Sequence, residues 1–308
     1  MRILFLGAGG TGGFFGGRLA QAGADVTFLV RPKRAAKLTK DGLLIRSPSR
    51  EDRFPVKTVT ADTLAGDWDL VVLSCKAYDL ADAIASIRPA VRASTMVLPL
   101  LNGLAHYRDL DAAFGAEKVL GGLCHIFAML GPDGEVIQMT PLARLTFGER
   151  QGGSSPRTEA ITTRFSDAGF DSRHSLAVMQ DAWEKYAFLA ALAAMTCLMR
   201  ATVGQIAATA EGEAIAREMY AETAGIAGAA RHAPRDDVNR AVLAMLTDPK
   251  STQTASMLRD LEAGGRTEGE HIIGDMVEHA RALGLQTPLL RVALCHLQAY
   301  EIRRTAGG

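Results

Sequence analysis

The chain opens with Met1-Arg2-Ile3-Leu4-Phe5-Leu6-Gly7-Ala8-Gly9-Gly10-Thr11-Gly12-Gly13. Ile3 to Leu6 is a short run of strand formers that ends abruptly in glycines, and a helical pattern follows through Ala22. Asp25 to Val30 then reads as a second strand, so the glycines sit at the turn of a strand-helix-strand unit. In that setting Gly7-x-Gly9-x-x-Gly12 has a physical logic. The first glycine permits a tight turn, the second lets backbone N–H groups near Ala8 and Gly10 approach a pyrophosphate, and the third allows the helix to lie close to the strand. The anion rests on the helix N-terminus, where unsatisfied N–H groups and the dipole favour negative charge. The alternative is a glycine-rich turn with no ligand.

The end of the second strand refines the ligand. Val30-Arg31-Pro32-Lys33-Arg34 has no Asp or Glu to bind ribose hydroxyls, whereas guanidinium donors suit a 2′-phosphate, which favours NADP(H) over NAD(H). A solvated basic loop is the competing reading.

Working outward, the runs Leu70 to Ser74 and Thr95 to Leu98 alternate with helical stretches such as Asp79 to Ile87, which implies a parallel sheet with crossover helices. Val119 to Gly122, Glu135 to Gln138 and Arg144 to Phe147 read as later strands. Turns are expected at Gly131 to Gly134 and at Thr140-Pro141, and Gln151 to Pro156 reads as a loop. From about Ser172 every segment has helical spacing and no convincing strand appears. The clearest helix begins at Thr267, where Thr267 and Glu270 form a capping-box pattern, and ends at Gly284. The expected architecture is an α/β Rossmann-type domain over 1–172 followed by an all-helical domain over 173–308. A length of 308 residues fits two domains better than one.

Bulk composition narrows the function. Lys plus Arg and Asp plus Glu are 34 each, so no global field favours nucleic acid or an anionic membrane. The longest uncharged run, Tyr186 to Met199, is shorter than the roughly 20 residues needed to span a bilayer. The first apolar run is too short for a signal peptide, which places the mature start at Met1. Cys75, Cys124, Cys197 and Cys295 are widely spaced without a CxxC pair, as expected of reduced cytoplasmic thiols, and no metal site is expected.

A few polar residues stand out by position. Lys76 and Asn102-Gly103 follow two of the sheet strands, at the carboxyl edge where open α/β folds bind ligands. Their plainer readings are a surface lysine and an Asn-Gly turn. Lys185 shares a helix face with Leu189 and Ala193, and apolar neighbours disfavour its charged form, bringing it towards what a general acid needs. A helix-flanking lysine that snorkels is the alternative. Glu268 near a helix start and Ser256 in a helical segment have equally ordinary explanations.

Taken together, Gly7 to Gly12, Arg31, Ser74-Cys75-Lys76, Leu101-Asn102-Gly103, Trp183-Glu184-Lys185, Ser256 to Asp260 and Arg266-Thr267-Glu268 resemble, in order and spacing, the ketopantoate reductase family. The resemblance runs from residue 1 to about 300 and implies a two-domain fold of the 6-phosphogluconate-dehydrogenase type. It implies that Gly7, Gly9 and Gly12 hold the pyrophosphate and that Arg31 and Lys76 hold the 2′-phosphate end. Asn102 is then placed near the nicotinamide ribose and substrate, Lys185 protonates the carbonyl oxygen, and Ser256 and Glu268 bind the carboxylate and hydroxyl regions of a small 2-oxo acid, 2-dehydropantoate. By the same analogy a homodimer is expected. The family also carries Asn four and eight residues after the lysine and Asn before a later glycine. This chain has Leu189, Ala193 and Val203 there, which opens the alternative of a less polar ketone. A further alternative is an NADPH-binding redox sensor that meets a partner through its Ala-rich helices, including Ala221 to Ala230.

Overall fold

The computed structural model describes residues 1–306. Two compact units emerge, one formed by Met1–Leu101 and His106–Met179, the other by Asn102–Ala105 and the chain from Gln180 onward.

In the first unit, β1 (Arg2–Leu6) leads into α1 (Gly10–Gln21), β2 (Asp25–Leu29) and α2 (Pro32–Asp41). Three strands absent from the sequence reading follow: β3 (Leu43–Ser47), β4 (Arg50–Phe54) and β5 (Lys57–Val59). Next come β6 (Leu70–Leu73), a 3-10 turn (Ala77–Asp79), α3 (Leu80–Ile87), β7 (Met96–Pro99) and α4 (His106–Phe114). The unit ends with β8 (Gly121–Leu130), β9 (Val136–Gly148), α5 (Pro156–Phe165) and β10 (Asp171–His174). Five strands form a parallel sheet in the order β5-β2-β1-β6-β7. Strands β6 and β7 are buried along their whole length, which is why they read as unbroken apolar runs rather than alternating ones. The order reverses between β1 and β6, and the crevice beyond the carboxyl ends of these strands is where such sheets take ligands.

A second sheet runs β10-β9-β3-β4, with β8 paired to β9. Helix α1 packs against both sheets, and its glycines make this close approach feasible. A Cβ on Gly16 would lie 2.7 Å from the Phe28 ring, and one on Gly17 would lie 2.8 Å from Ile45 Cδ1 and Leu43 Cδ2. A Cβ on Gly13 would meet Val136 Cγ2 at 2.7 Å.

Three expectations need correction. Thr140-Pro141 is not a turn, because β9 continues through it. The β8 pairing jumps from Ile126↔Ala143 to Ala128↔Gln138, so Met139 to Leu142 bulge opposite Phe127. A proline is tolerated in a bulge, where no ladder N–H is required. Residues 171–174 form a strand, parallel to Arg144–Phe147, where helical character was expected. Its four polar residues give a period-2 pattern too short to recognise. Finally, Thr267 and Glu270 do not form a capping box. The Thr267 N–H and hydroxyl both donate to Glu301 Oε1, at 2.7 and 2.8 Å, and Glu270 accepts from Gln298 Nε2.

The second unit is helical: α6 (Val178–Met199, entered at Gln180), α7 (Val203–Ala207), α8 (Gly212–Ala229), α9 (Asp236–Leu246), α10 (Ser256–Glu262), a π-helical turn (Glu270–Gly274), α11 (Asp275–Ala282) and α12 (Pro288–Ala306). Its centre is the middle of α6, where Ala190 to Cys197 are all buried. The buried Tyr186 hydroxyl is shared between two acceptors, Ile272 O at 2.7 Å and Asp275 Oδ2 at 2.9 Å, which ties α6 to the π turn and α11. Among the described residues no helix is long and apolar enough to cross a membrane.

Candidate active site

The glycine-rich loop is held from beneath at two points. Gly7 N–H donates to Leu29 O at 2.9 Å, and Ser74 Oγ donates to Leu6 O at 2.9 Å, so β1, β2 and β6 converge on the turn. Gly7 has φ +93°, a left-handed conformation that glycine adopts without strain. A side chain on Gly12 would run into the Ser74 hydroxyl and the Gly7 carbonyl, so this position is closed to anything larger. The mouth of α1 is different. Gly9 is the N-cap, no side chain caps the helix, its first turn holds no acidic residue, and nothing lies within 4 Å of where a Gly9 Cβ would be. Uncapped N–H groups facing open space fit a phosphate group of a dinucleotide.

The two arginines after β2 play opposite parts. Arg31 is the N-cap residue of α2, its side chain is 83% exposed, and its Nη2 lies 3.7 Å from Asp79 Oδ2. Arg34, one turn later, points inward. Its Nη2 donates to Ala8 O at 2.8 Å and its Nη1 to Gly134 O at 2.7 Å, and burial draws its pKa down. Sequence reasoning had grouped both as one basic loop. They part because Arg31 is the extended N-cap residue outside α2, whereas Arg34 lies within its first turn. Lys76 is half-buried at the start of the 3-10 turn after β6.

In the helical unit, Lys185 and Asn102 come together across 83 residues of sequence: Lys185 Nζ donates to Asn102 Oδ1 at 3.1 Å. Asn102 follows β7, yet its tetrapeptide Asn102–Ala105 packs with the helices. Gly103 (φ +76°) passes so near His271 that a Cβ there would be 3.2 Å from the His271 carbonyl oxygen. Glu268 is buried, at 7% exposure, just before the π turn. Ser256 is the first residue of α10, half-buried, and the Ala255 N–H before it donates to Thr196 Oγ1 of α6 at 3.4 Å. Of the three apolar positions noted in the sequence, Ala193 and Val203 are core residues at 1% and 0% exposure, whereas Leu189 is only partly covered.

The charge cluster beside Lys185 has no local signal in the sequence, since its partners lie 51 residues apart. Glu184, 4% exposed, accepts from the Arg235 backbone N–H and Nε, both at 2.8 Å, from Gln180 Nε2 at 3.1 Å, and in a further close contact from Arg235 Nη2. Burial pushes the Glu184 carboxyl up, but the Arg235 hydrogen bonds outweigh this and its pKa ends below the ordinary value of 4.5. Trp183 contacts two imidazoles, stacked on His232 with centroids 5.8 Å apart and edge-on to His279 at 5.1 Å.

Comparison with known proteins bears on this arrangement. The family model "Ketopantoate reductase PanE/ApbA" matches residues 3–152, and its C-terminal counterpart matches residues 177–301. A Bacillus subtilis protein described as "Uncharacterized oxidoreductase YkpB" is 36% identical over 304 residues, covering 99% of this chain and all of the relative. A 2-dehydropantoate 2-reductase of Halobacterium salinarum is 28% identical over 94% of this chain and 96% of its own length. The crystal structure of 2-dehydropantoate 2-reductase from Methylococcus capsulatus superposes with a TM-score of 0.87 at 27% identity, covering 99% of this chain and 98% of the other.

Proposed function

Because this chain belongs to the ketopantoate reductase family and is an oxidoreductase, we propose that it reduces the ketone of a small 2-oxo acid with NADP(H), Lys185 supplying the proton. The observation that carries the reading is the Lys185–Asn102 hydrogen bond, which gives an ammonium group a fixed direction. When bound, the reduced nicotinamide supplies the hydride.

The chain's own residues have the following tasks. Gly7, Ala8, Gly9, Gly10 and Gly12 form the pyrophosphate cradle at the α1 N-terminus. Arg31 and Lys76 hold the 2′-phosphate end, and Asp79 gives up Arg31 at little cost, since an exposed pair is worth roughly 0–1 kcal/mol. As the ketone oxygen gains negative charge, the Lys185 ammonium stabilises it and transfers a proton from Nζ. Asn102 orients that ammonium and borders the nicotinamide ribose. Ser256 and Glu268 receive the carboxylate and hydroxyl regions of the substrate.

Substrate identity turns on Leu189. Ala193 and Val203 are packed into the helical core, so only Leu189 of the three apolar replacements has surface left to meet a ligand. A single apolar contact in place of an amide leaves 2-dehydropantoate a feasible substrate and also admits a 2-oxo acid with a larger apolar side chain. The test is NADPH oxidation with 2-dehydropantoate and with 2-oxo acids of increasing apolar bulk, repeated with NADH. The expected result is turnover with at least one 2-oxo acid and a higher kcat/KM for NADPH than for NADH. Absence of turnover across the series overturns the reading in favour of nucleotide binding without reduction.

A further inference from the structure

Arg34 makes an unusual pair of contacts. Its two Nη atoms hold two backbone carbonyls from distant segments, Ala8 O in the glycine-rich loop and Gly134 O in the turn between β8 and β9. Its Nε is buried without a hydrogen-bond partner, so the guanidinium is committed to these two carbonyls. The turn is shaped to receive it. Gly134 has φ +78°, and a Cβ there would lie 2.6 Å from Arg34 Nη1. Gly134 N–H in turn donates to Gly131 O at 2.9 Å, closing the turn on itself.

The contact with Ala8 has a directional consequence. Among the described residues no peptide bond is cis, and in a planar trans peptide the C=O and the following N–H point in opposite directions. Drawing the Ala8 carbonyl towards Arg34 therefore aims the Gly9 N–H the other way. Gly9 caps α1, with open space at its Cα. The same contact places a positive charge behind that peptide, which reinforces its dipole towards an anion.

We propose that Arg34 is a positioning residue for the pyrophosphate group of the nucleotide, acting through the Ala8–Gly9 peptide. The inference rests on the nucleotide reading given above. Arg31 and Arg34, one helical turn apart, thus serve different parts of one ligand, Arg31 by contact with the 2′-phosphate and Arg34 by orienting the backbone at the pyrophosphate.

The test compares ligands that carry a pyrophosphate (NADPH, NADH and ADP-ribose) with one that does not (adenosine 2′-monophosphate), by calorimetric titration of the full chain. Arg34→Met is expected to weaken all three pyrophosphate ligands by roughly tenfold, in line with the loss of a charge-assisted hydrogen bond, and to leave adenosine 2′-monophosphate unchanged. Arg34→Lys, which reaches one carbonyl rather than two, falls between Met and the parent and serves if Arg34→Met does not fold. Arg31→Ala gives the reverse pattern, weakening NADPH and adenosine 2′-monophosphate and sparing NADH. Unchanged pyrophosphate binding in the Arg34 variants, or an equal loss for adenosine 2′-monophosphate, overturns the inference while the nucleotide reading survives. Failure of the parent protein to bind NADPH or NADH overturns both.

Discussion

Lys185→Ala is expected to lower kcat/KM for 2-oxo acid reduction by roughly 10²–10⁴-fold, the range a positioned proton donor contributes, while the Kd for NADPH stays at the parent value. The two readouts separate because the residues assigned to the pyrophosphate and the 2′-phosphate, Gly7 to Gly12, Arg31 and Lys76, all belong to the first unit, whereas Lys185 belongs to the second, with Asn102 as the one residue there assigned to the nucleotide. The side chain is half-buried on α6 and is aligned by Asn102 Oδ1. Asn102→Ala is therefore expected to reduce kcat by less than the lysine change, since it leaves the proton but loosens its direction. Steady-state kinetics and nucleotide titration check both variants. Retention of the full rate by Lys185→Ala removes this lysine from the chemistry.

The second large effect is one of stability. Arg235→Ala strips Glu184 of its Nε, Nη2 and side-chain charge partner, and leaves a carboxylate that is 4% exposed. Breaking a buried ion pair from one side costs roughly 3–5 kcal/mol. The Arg235 side chain is 48% exposed, so part of this attraction is screened by water and about 2–3 kcal/mol is expected, a fall in Tm of several degrees. The pH dependence gives the diagnostic sign. In the parent, Glu184 has a pKa depressed below 4.5, so its contribution is complete above the unfolded value and is lost as the pH falls through the folded value. Without the Arg235 side chain the backbone N–H at 235 and Gln180 Nε2 still hold the carboxyl, but its largest lowering partner is gone, so burial raises its folded pKa relative to the parent and the variant is least penalised where the group is protonated. Thermal melts from pH 7 down to pH 4 should show the gap between parent and variant narrowing; a gap that is constant with pH would assign the loss to packing instead.

The parts of the fold most legible in the sequence were those written in local pattern. Ile3 to Leu6 and Gly7 to Gly12 announce a strand, a turn and a helix mouth within a dozen residues, and Leu70 to Leu73 is apolar because both of its faces are covered. The β3–β4 pair was not legible. Arg50-Glu51-Asp52-Arg53-Phe54 is a charged, largely exposed strand whose pairing partners, Leu43 to Ser47, are decided by register rather than by apolar periodicity. Pro141 misled for a related reason: a proline marks a missing donor, and a bulge satisfies that as well as a turn does. Among the site residues, Lys185 and Asn102 stood out by position and family pattern, but their contact spans the whole sheet-to-helix connectivity. Arg34 entered only as part of the basic run after the second strand and Arg235 not at all, because each acts on partners 26 to 100 residues away, and nothing near them in sequence names those partners.

Helix α1 has an implication for how the protein assembles. Five of its residues, Gly10, Gly12, Gly13, Gly16 and Gly17, are glycine, and each lowers intrinsic helicity by about 1 kcal/mol relative to alanine. Such a segment has no reason to coil by itself in the nascent chain; it becomes helical when the Phe28 side and the Ile45 side both exist to enclose it. The glycine-rich loop and helix mouth proposed to cradle the nucleotide are thus a late product of folding, contingent on residues as far along as Val136. Pulse-labelled hydrogen exchange during refolding should find the amides of Phe14 to Leu19 acquiring protection together with β9, and earlier protection would detach cradle formation from sheet closure.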